Sequence, residues 1–232
     1  MVKNFFSWQL FRRVPIIGIM RNLPRDKMID VASLFADEGF TNLEITLNSP
    51  DAIESISELS SGFNQRINVG AGTVCTSEQL EMALSAGAGF IVTPVVNEEI
   101  IRKCVLRDIP VFPGAYTPTE IYKADALGAA MIKIFPASQL GPQYVKELLA
   151  PFPHLKLLPT GGISLENMRP FMEAGAEGLG IGSAQLDALL DMDADGWRKE
   201  LAEIGAYLDS YGTHTPAALK REQQRIANAL SG

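Results

Sequence analysis

The chain has 232 residues, of which 47% are hydrophobic and 20% charged, and its formal net charge is −7. This composition is typical of a globular protein and excludes disordered and fibrous classes, while the acidic balance gives no general attraction to nucleic acid or to acidic membranes. No apolar run approaches the roughly 20 residues of a membrane span. We therefore expect one soluble, cytoplasmic domain over residues 1–232, with no nucleic-acid or membrane partner.

Eight short apolar runs are the strand candidates, and amphipathic segments separate them. In chain order the runs read "VPIIGIM", "NLEITL", "NVGAGT", "FIVTP", "IPVFPGA", "MIKIFP", "LKLLPTG" and "GLGIGS". Apolar residues between them recur at helical spacing, as at Met28 and Phe35. Eight strand–helix units favour an α/β fold of the (β/α)8 TIM barrel type over an open doubly wound sheet. We also predict an N-terminal helix at about residues 4–12, beneath the barrel, and a C-terminal helix at about 215–230.

Residues that start and stop helices lie at the expected boundaries. Thr117 and Glu120 match a capping box, and Thr76 with Gln79 forms a similar pair. Four glycines fall where a helix would end in a left-handed residue before the next strand, namely Gly39, Gly87, Gly128 and Gly175.

Polar residues stand at the carboxyl ends of the predicted strands, where barrels of this kind form their sites. The strand-end candidates are Arg21 on strand one, Glu44 and Thr46 on strand two, Thr73 on strand three, Lys133 on strand six, and Thr160, Gly161 and Gly162 after strand seven.

Lys133 and Glu44 have the parity of side chains that point into the barrel. Ile132 and Ile134 alternate with Lys133, so these two apolar residues should face the helices. Burial lowers a lysine pKa and raises a carboxyl pKa unless each group finds a partner. A partly neutral lysine can attack a ketone to form a Schiff base, and Glu44 can move the protons. The alternative is a buried structural Lys–Glu pair.

Glycine-rich turns follow strands seven and eight. "PTGGIS" contains Gly161 and Gly162, and "GIGSA" contains Gly182 and Ser183. Backbone N–H groups in these two loops frequently bind phosphate in such barrels, although paired glycines can also be simple turn chemistry. We predict a phosphate site at these four residues.

Other reactive residues do not form a recognisable site. Cys75 and Cys104 are isolated, and we expect buried free thiols. The "DMDADG" stretch at residues 191–196 lacks the glutamate that would complete a calcium loop, and His154 and His214 have no ligand cluster around them. The sequence therefore predicts neither a metal nor a cofactor.

Five motifs together resemble those of the 2-keto-3-deoxy-6-phosphogluconate (KDPG) aldolases and their relatives that act on the 6-phosphogalactonate epimer. "LEITL", "VGAGTV", "IVTP", "KIFPAS" and "PTGGI" fall in order at that family's strand positions, over residues 14 to about 190. The resemblance implies that Lys133 forms the Schiff base, that Glu44 is the acid/base, and that Thr73 lies at the pyruvate moiety. It also implies a phosphorylated 2-keto acid substrate, Entner–Doudoroff carbohydrate metabolism and a homotrimer.

Two features of the sequence point to different epimers of the substrate. Asn48 in "TLNSP" and Arg21, a substrate-binding residue by resemblance, match the galactonate-type relatives, whereas Thr160 before the paired glycines matches the gluconate type. A threonine hydroxyl can contact the carbon whose configuration differs, so we predict cleavage of the gluconate epimer to pyruvate and glyceraldehyde 3-phosphate. The alternatives are the galactonate epimer, unphosphorylated 4-hydroxy-2-oxoglutarate, and a non-catalytic phosphosugar-binding barrel.

Overall fold

The computed structural model describes residues 6–63 and 65–182 of the chain. The eight strands are β1 (Ile16–Met20), β2 (Asn42–Thr46), β3 (Asn68–Gly72), β4 (Phe90–Thr93), β5 (Val111–Ala115), β6 (Ile132–Ile134), β7 (Leu157–Pro159) and β8 (Leu179–Gly182). The helices of the described part are α1 (Trp8–Arg13), α2 (Arg25–Asp37), α3 (Ala52–Gly62), α4 (Ser77–Ser85), α5 (Glu98–Leu106), α6 (Pro118–Ala126), α7 (Ala137–Leu149) and α8 (Leu165–Glu173).

The strands form one parallel sheet that curls into a barrel. Each strand from β1 to β6 pairs with the next in sequence, and β8 pairs with β1. A parallel bridge between Thr160 and Gly180 joins the remaining two strands, β7 and β8. The predicted (β/α)8 barrel is therefore confirmed, and all eight strand candidates are strands.

An apolar cluster fills the amino-terminal half of the barrel interior. We call it the floor cluster, and its members are Phe11, Ile17, Phe90, Val92, Phe112, Met131 and Leu158. Phe11 comes from α1, so the N-terminal helix packs against the bottom of the barrel, as predicted, although it begins at Trp8 rather than near residue 4. Residues 1–5 lie outside the described part. Close packing at this level leaves only the carboxyl-terminal half of the lumen for polar side chains.

The predicted helix boundaries are present. Thr76 with Gln79 and Thr117 with Glu120 each form a reciprocal capping box at the start of a helix. The four predicted stop glycines all have positive φ, at 86° for Gly39, 97° for Gly87, 92° for Gly128 and 101° for Gly175. These left-handed residues turn the chain from each helix back towards the next strand.

Some predictions fall on residues that the structure does not describe. The barrel lies in a compact unit that spans Met1–Leu186. The single domain over residues 1–232, the helix at about 215–230 and the features at 191–196 extend beyond residue 182 and stay predictions. Within residues 6–63 and 65–182, no helix is long and apolar enough to cross a membrane.

The capping box of α6 gives a stability prediction. Thr117→Ala removes a hydroxyl that accepts from the Glu120 N–H, and it should lower the free energy of unfolding by about 1 kcal/mol. Denaturant unfolding measures the change. Thr119→Ala is the matched control, because Thr119 is an exposed residue in the same helical turn that does not cap the helix. Equal losses in the two variants would contradict the assignment of Thr117 as the cap.

Candidate active site

Lys133 lies inside the barrel on β6. It pairs with Gly114 of β5 and Leu158 of β7, and it follows Met131 of the floor cluster by two residues, so it shares the interior face. Its exposed fraction is 5%. The ring of Phe135, the next residue of the same parity, has its centroid 4.7 Å from Nζ. Among the described residues, Nζ contacts no carboxylate at ion-pair distance, and Lys133 is therefore not held in a structural salt bridge there.

Glu44 occupies the same interior from β2. It pairs with Ile19 of β1 and Gly70 of β3 and is 2% exposed. Its carboxylate fits because Gly72 has no side chain: a methyl group there would overlap Oε1. The sequence predicts a role for Thr73 in "VGAGTV" but not for Gly72. The role of Gly72 depends on which side chain the neighbouring strand places beside it.

Burial shifts the protonation of both groups toward their neutral forms. Removal from water raises the pKa of Glu44, while the positive charges of Lys133 and Arg21 act in the opposite direction. Removal from water lowers the pKa of Lys133; the charge of Glu44 opposes this shift and the charge of Arg21 adds to it. The predicted interior position and the predicted directions of the pKa shifts are present for both residues.

Three predicted residues lie around the mouth at β1, β2 and β3. Arg21 directly follows β1 and Asn48 lies in the loop after β2, and both are exposed. Thr73 directly follows β3 with a left-handed backbone, at φ 59°, and is half-buried. Arg21 makes no ion pair with a carboxylate in the described part of the chain.

Thr160 is more enclosed than a residue at the mouth. It is 3% exposed, its side chain fills the space beside Gly180, and its hydroxyl donates to the carbonyl of Leu158 at 3.1 Å. The sequence predicts that this hydroxyl contacts the substrate carbon whose configuration differs. With its proton used within β7, the oxygen is left as an acceptor.

The loop after β7 presents backbone donors. Gly161 and Gly162 have φ of 87° and 73°, a conformation that favours glycine. Asn167 of α8 fixes the loop by donating from Nδ2 to the carbonyl of Gly162 at 2.8 Å. The backbone N–H groups of such a glycine turn fit an anion. Gly182 ends β8, and Ser183 lies outside the described residues.

The remaining reactive residues do not join this site. His154 pairs with Asp125 at 3.2 Å on the outside of the barrel. Cys104 is buried, and burial raises the pKa of its thiol to about 12, but Cys75 is exposed, so our expectation of two buried thiols was wrong for Cys75. Cys75 lies in the solvent-facing loop after β3, and its position in that loop keeps its side chain out of the apolar core. Across the described ranges, no three His, Cys, Asp or Glu residues are grouped to hold a metal ion.

Comparison with known proteins identifies an aldolase family. A family model described as KDPG and KHG aldolase matches residues 8–200. The chain is 37% identical over 178 residues to the 2-dehydro-3-deoxy-6-phosphogalactonate aldolase of Escherichia coli strain K12, covering 76% of this chain and 86% of that protein. It is 35% identical over 162 residues to the 2-dehydro-3-deoxy-phosphogluconate aldolase of Haemophilus influenzae, covering 69% and 76%.

Solved structures agree with the sequence comparison. A structure described as native KDPGal superposes with a TM-score of 0.72 at 36% identity, covering 77% of this chain and 86% of that one. A KDPG aldolase from Legionella pneumophila, with pyruvate captured as a covalent carbinolamine intermediate, superposes with a TM-score of 0.69 at 30% identity, covering 75% and 84%.

The charges around Lys133 predict how its reactivity depends on pH. Because the charge of Glu44 raises the pKa of Lys133 and that of Arg21 lowers it, Glu44→Gln should move the reactive pH range lower and Arg21→Ala should move it higher. The measurement is the rate at which acetic anhydride acetylates Lys133, followed by peptide mass spectrometry across pH. Shifts in the same direction for both variants would contradict the arrangement.

Proposed function

This chain belongs to the KDPG and KHG aldolase family, and from that premise we propose that it is a class I aldolase that cleaves 2-keto-3-deoxy-6-phosphogluconate through a Schiff base on Lys133. The products are pyruvate and glyceraldehyde 3-phosphate. The observation that carries the proposal is the burial of Lys133 and Glu44 in one lumen, each shifted toward its neutral form.

The reaction follows from these two groups. The neutral amine of Lys133 attacks the C2 ketone. Protonated Glu44 then gives its proton to the carbinolamine hydroxyl, which leaves as water, and the products of this step are an iminium and a Glu44 carboxylate. A base, which we assign to Glu44, removes the proton of the C4 hydroxyl; the C3–C4 bond breaks, and its electron pair moves into the iminium to give an enamine and the free aldehyde. The enamine takes a proton at C3, and water then releases pyruvate and restores the amine. The face of the Phe135 ring stabilises positive charge on the lysine nitrogen during the iminium steps.

The two anionic ends of the substrate have separate partners in this proposal. Arg21 and Thr73, at the ends of β1 and β3, bind the carboxylate of the pyruvate half. The backbone N–H groups of the loop that holds Gly161 and Gly162 bind the phosphate, and we assign Gly182 and Ser183 to the same group. Competition by inorganic phosphate distinguishes this substrate class from unphosphorylated 4-hydroxy-2-oxoglutarate. A non-catalytic phosphosugar-binding barrel would release no pyruvate in a lactate dehydrogenase-coupled assay.

The most specific part of the proposal is the configuration at C4 of the substrate. Thr160 supports the gluconate epimer: its hydroxyl turns from the Leu158 carbonyl to donate to the C4 oxygen, which leaves the C4 hydroxyl proton for Glu44. The galactonate epimer is the second candidate, supported by Asn48 and by the 37% identity to the Escherichia coli galactonate aldolase. Our proposals of a homotrimer and of a cytoplasmic location rest on the family resemblance and composition alone.

Trapping tests the Schiff base directly. Borohydride added with pyruvate should reduce the iminium to a stable secondary amine, detected by peptide mass spectrometry as an adduct on Lys133. Glu44→Gln should still yield the adduct while turnover falls by about 10² to 10⁴-fold, because general acid–base catalysis is typically of that size.

Two outcomes would overturn this mechanism. One is an adduct on another lysine of the active enzyme, and the other is unchanged turnover in Glu44→Gln. Full activity in EDTA is also expected, since the iminium accepts the electrons that a metal would otherwise draw. Activity lost to EDTA and restored by zinc or magnesium would contradict the proposal.

Thr160→Val tests the epimer assignment. The substitution removes one hydroxyl at similar volume, so the ratio of kcat/KM for the gluconate epimer over the galactonate epimer should fall by about two- to tenfold. Steady-state assays with both purified epimers measure the ratio, and Arg21→Ala is the control, since it should weaken both epimers alike. A wild-type preference for the galactonate epimer would identify Asn48 as the better guide.

A further inference from the structure

Two buried hydroxyl groups connect β2 to the loop that carries Arg21. Thr46, the last residue of β2, is fully buried and shares the parity of Glu44, and Ser49 in the following loop is 8% exposed. Their oxygens lie 2.9 Å apart. Thr46 Oγ1 lies 3.3 Å from the carbonyl oxygen of Met20, and Ser49 Oγ lies 2.9 Å from the backbone nitrogen of Asn22.

Proton accounting fixes the direction of this chain of hydrogen bonds. The N–H of Asn22 donates to Ser49 Oγ, and the Met20 carbonyl can only accept, so Thr46 donates to it. The hydroxyl proton of Ser49 is then the one that bridges to Thr46. Each hydroxyl donates once and accepts once, and neither has a donor left for a ligand.

The two ends of this series of hydrogen bonds are the peptide groups on either side of Arg21. The Met20 carbonyl precedes Arg21 and the Asn22 N–H follows it, so both adjoining peptide groups are tied to β2 and its loop. Asn22 has φ 56°, a left-handed conformation that is uncommon outside glycine and needs support from its surroundings. The arrangement fixes the backbone of Arg21 while leaving its exposed guanidinium without a carboxylate partner in the described residues.

We propose that Thr46 and Ser49 are positioning residues that hold Arg21 at the mouth of the barrel, so that its guanidinium meets the carboxylate of the substrate above Lys133. This inference rests on the proposed function, in which Arg21 binds that carboxylate. The strand that carries Glu44 thereby also sets the place of the substrate's anionic end relative to the acid/base.

The electrostatics agree with this placement. The charge of Arg21 lowers the pKa of both Glu44 and Lys133, so the guanidinium is close enough to act on both sides of the lumen. A displaced Arg21 would therefore change two observables together: the affinity for the substrate and the pH range over which Lys133 reacts.

The experiment is a double-mutant cycle between Ser49→Ala and Arg21→Ala. Ser49→Ala alone should raise KM by roughly five- to thirtyfold, with kcat changed less than threefold, because a loosened Arg21 binds substrate and transition state equally poorly. In the Arg21→Ala background, Ser49→Ala should add less than about twofold, since residues that act through one contact are not additive. The acetylation profile of Lys133 should move to higher pH in Ser49→Ala, by less than in Arg21→Ala.

Three further variants separate positioning from a general loss of structure. Thr46→Val breaks the same chain at nearly constant volume and should reproduce the Ser49→Ala effect, while Thr46→Ser keeps the hydroxyl and should restore the wild-type KM. Ser55→Ala is the matched control: its hydroxyl is also buried and donates to the carbonyl of Asp51 at 2.8 Å in the same stretch of chain, but it does not reach Arg21. Ser55→Ala should leave KM and the Lys133 profile unchanged.

The outcomes distinguish this inference from the function on which it rests. If Arg21→Ala leaves KM unchanged, the assignment of Arg21 to the carboxylate is wrong and the inference falls with it. If Arg21→Ala raises KM but Ser49→Ala has the same effect with and without Arg21, the proposed function stands and the positioning role is overturned. An unmoved Lys133 profile in Ser49→Ala would also overturn it.

Discussion

The burial of two ionisable side chains in one lumen is the constraint on which the site depends. Below Glu44 and Lys133 the floor cluster is close-packed and apolar, so neither group reaches water from that side. A buried charge without a partner costs far more free energy than a neutral group. Burial shifts both pKa values toward the neutral forms, and no ion pair joins the two groups in the described part of the chain. The neutral form of an amine is the one that attacks a carbonyl.

Room for these side chains comes from glycines on the neighbouring strands. Phe90 of the floor cluster projects into the space beside Gly70, Glu44 beside Gly72, and Thr160 beside Gly180. In each pair a large interior side chain lies against a strand that has none at that level, as the alternation of large and small residues inside a small barrel demands. The same packing that builds the floor thus makes the cavity above it.

Much of this arrangement could be predicted from the sequence because it depends on the regular spacing of apolar and polar residues along each strand and helix. A repeat of two along each strand was sufficient to place Lys133 and Glu44 inside, and the residues before and after each helix were sufficient to mark its ends. What depends on register between strands could not be read: the roles of Gly72 and Gly180 follow from what the adjacent strand places beside them. The same holds for contacts between loops. Asn22 and Ser49 are 27 residues apart, and nothing local indicates that they are hydrogen-bonded.

The mouth of the barrel is chemically divided, and the division orients the proposed substrate. The ends of β4, β5 and β6 expose three large apolar side chains, Val95, Tyr116 and Phe135. The polar groups, Arg21 and the N–H groups of Gly161 and Gly162, follow β1 and β7, the two neighbours of β8 in the closed barrel. In the described residues, a substrate with a carboxylate at one end and a phosphate at the other finds these polar partners along that side. The middle carbons of the substrate then lie towards the lumen. Lys133 extends into the lumen from β6, which adjoins β7, and Glu44 extends into it from β2, which adjoins β1. The two side chains therefore approach the substrate from opposite flanks. The position of Arg21 therefore determines the distance between the substrate ketone and the amine of Lys133.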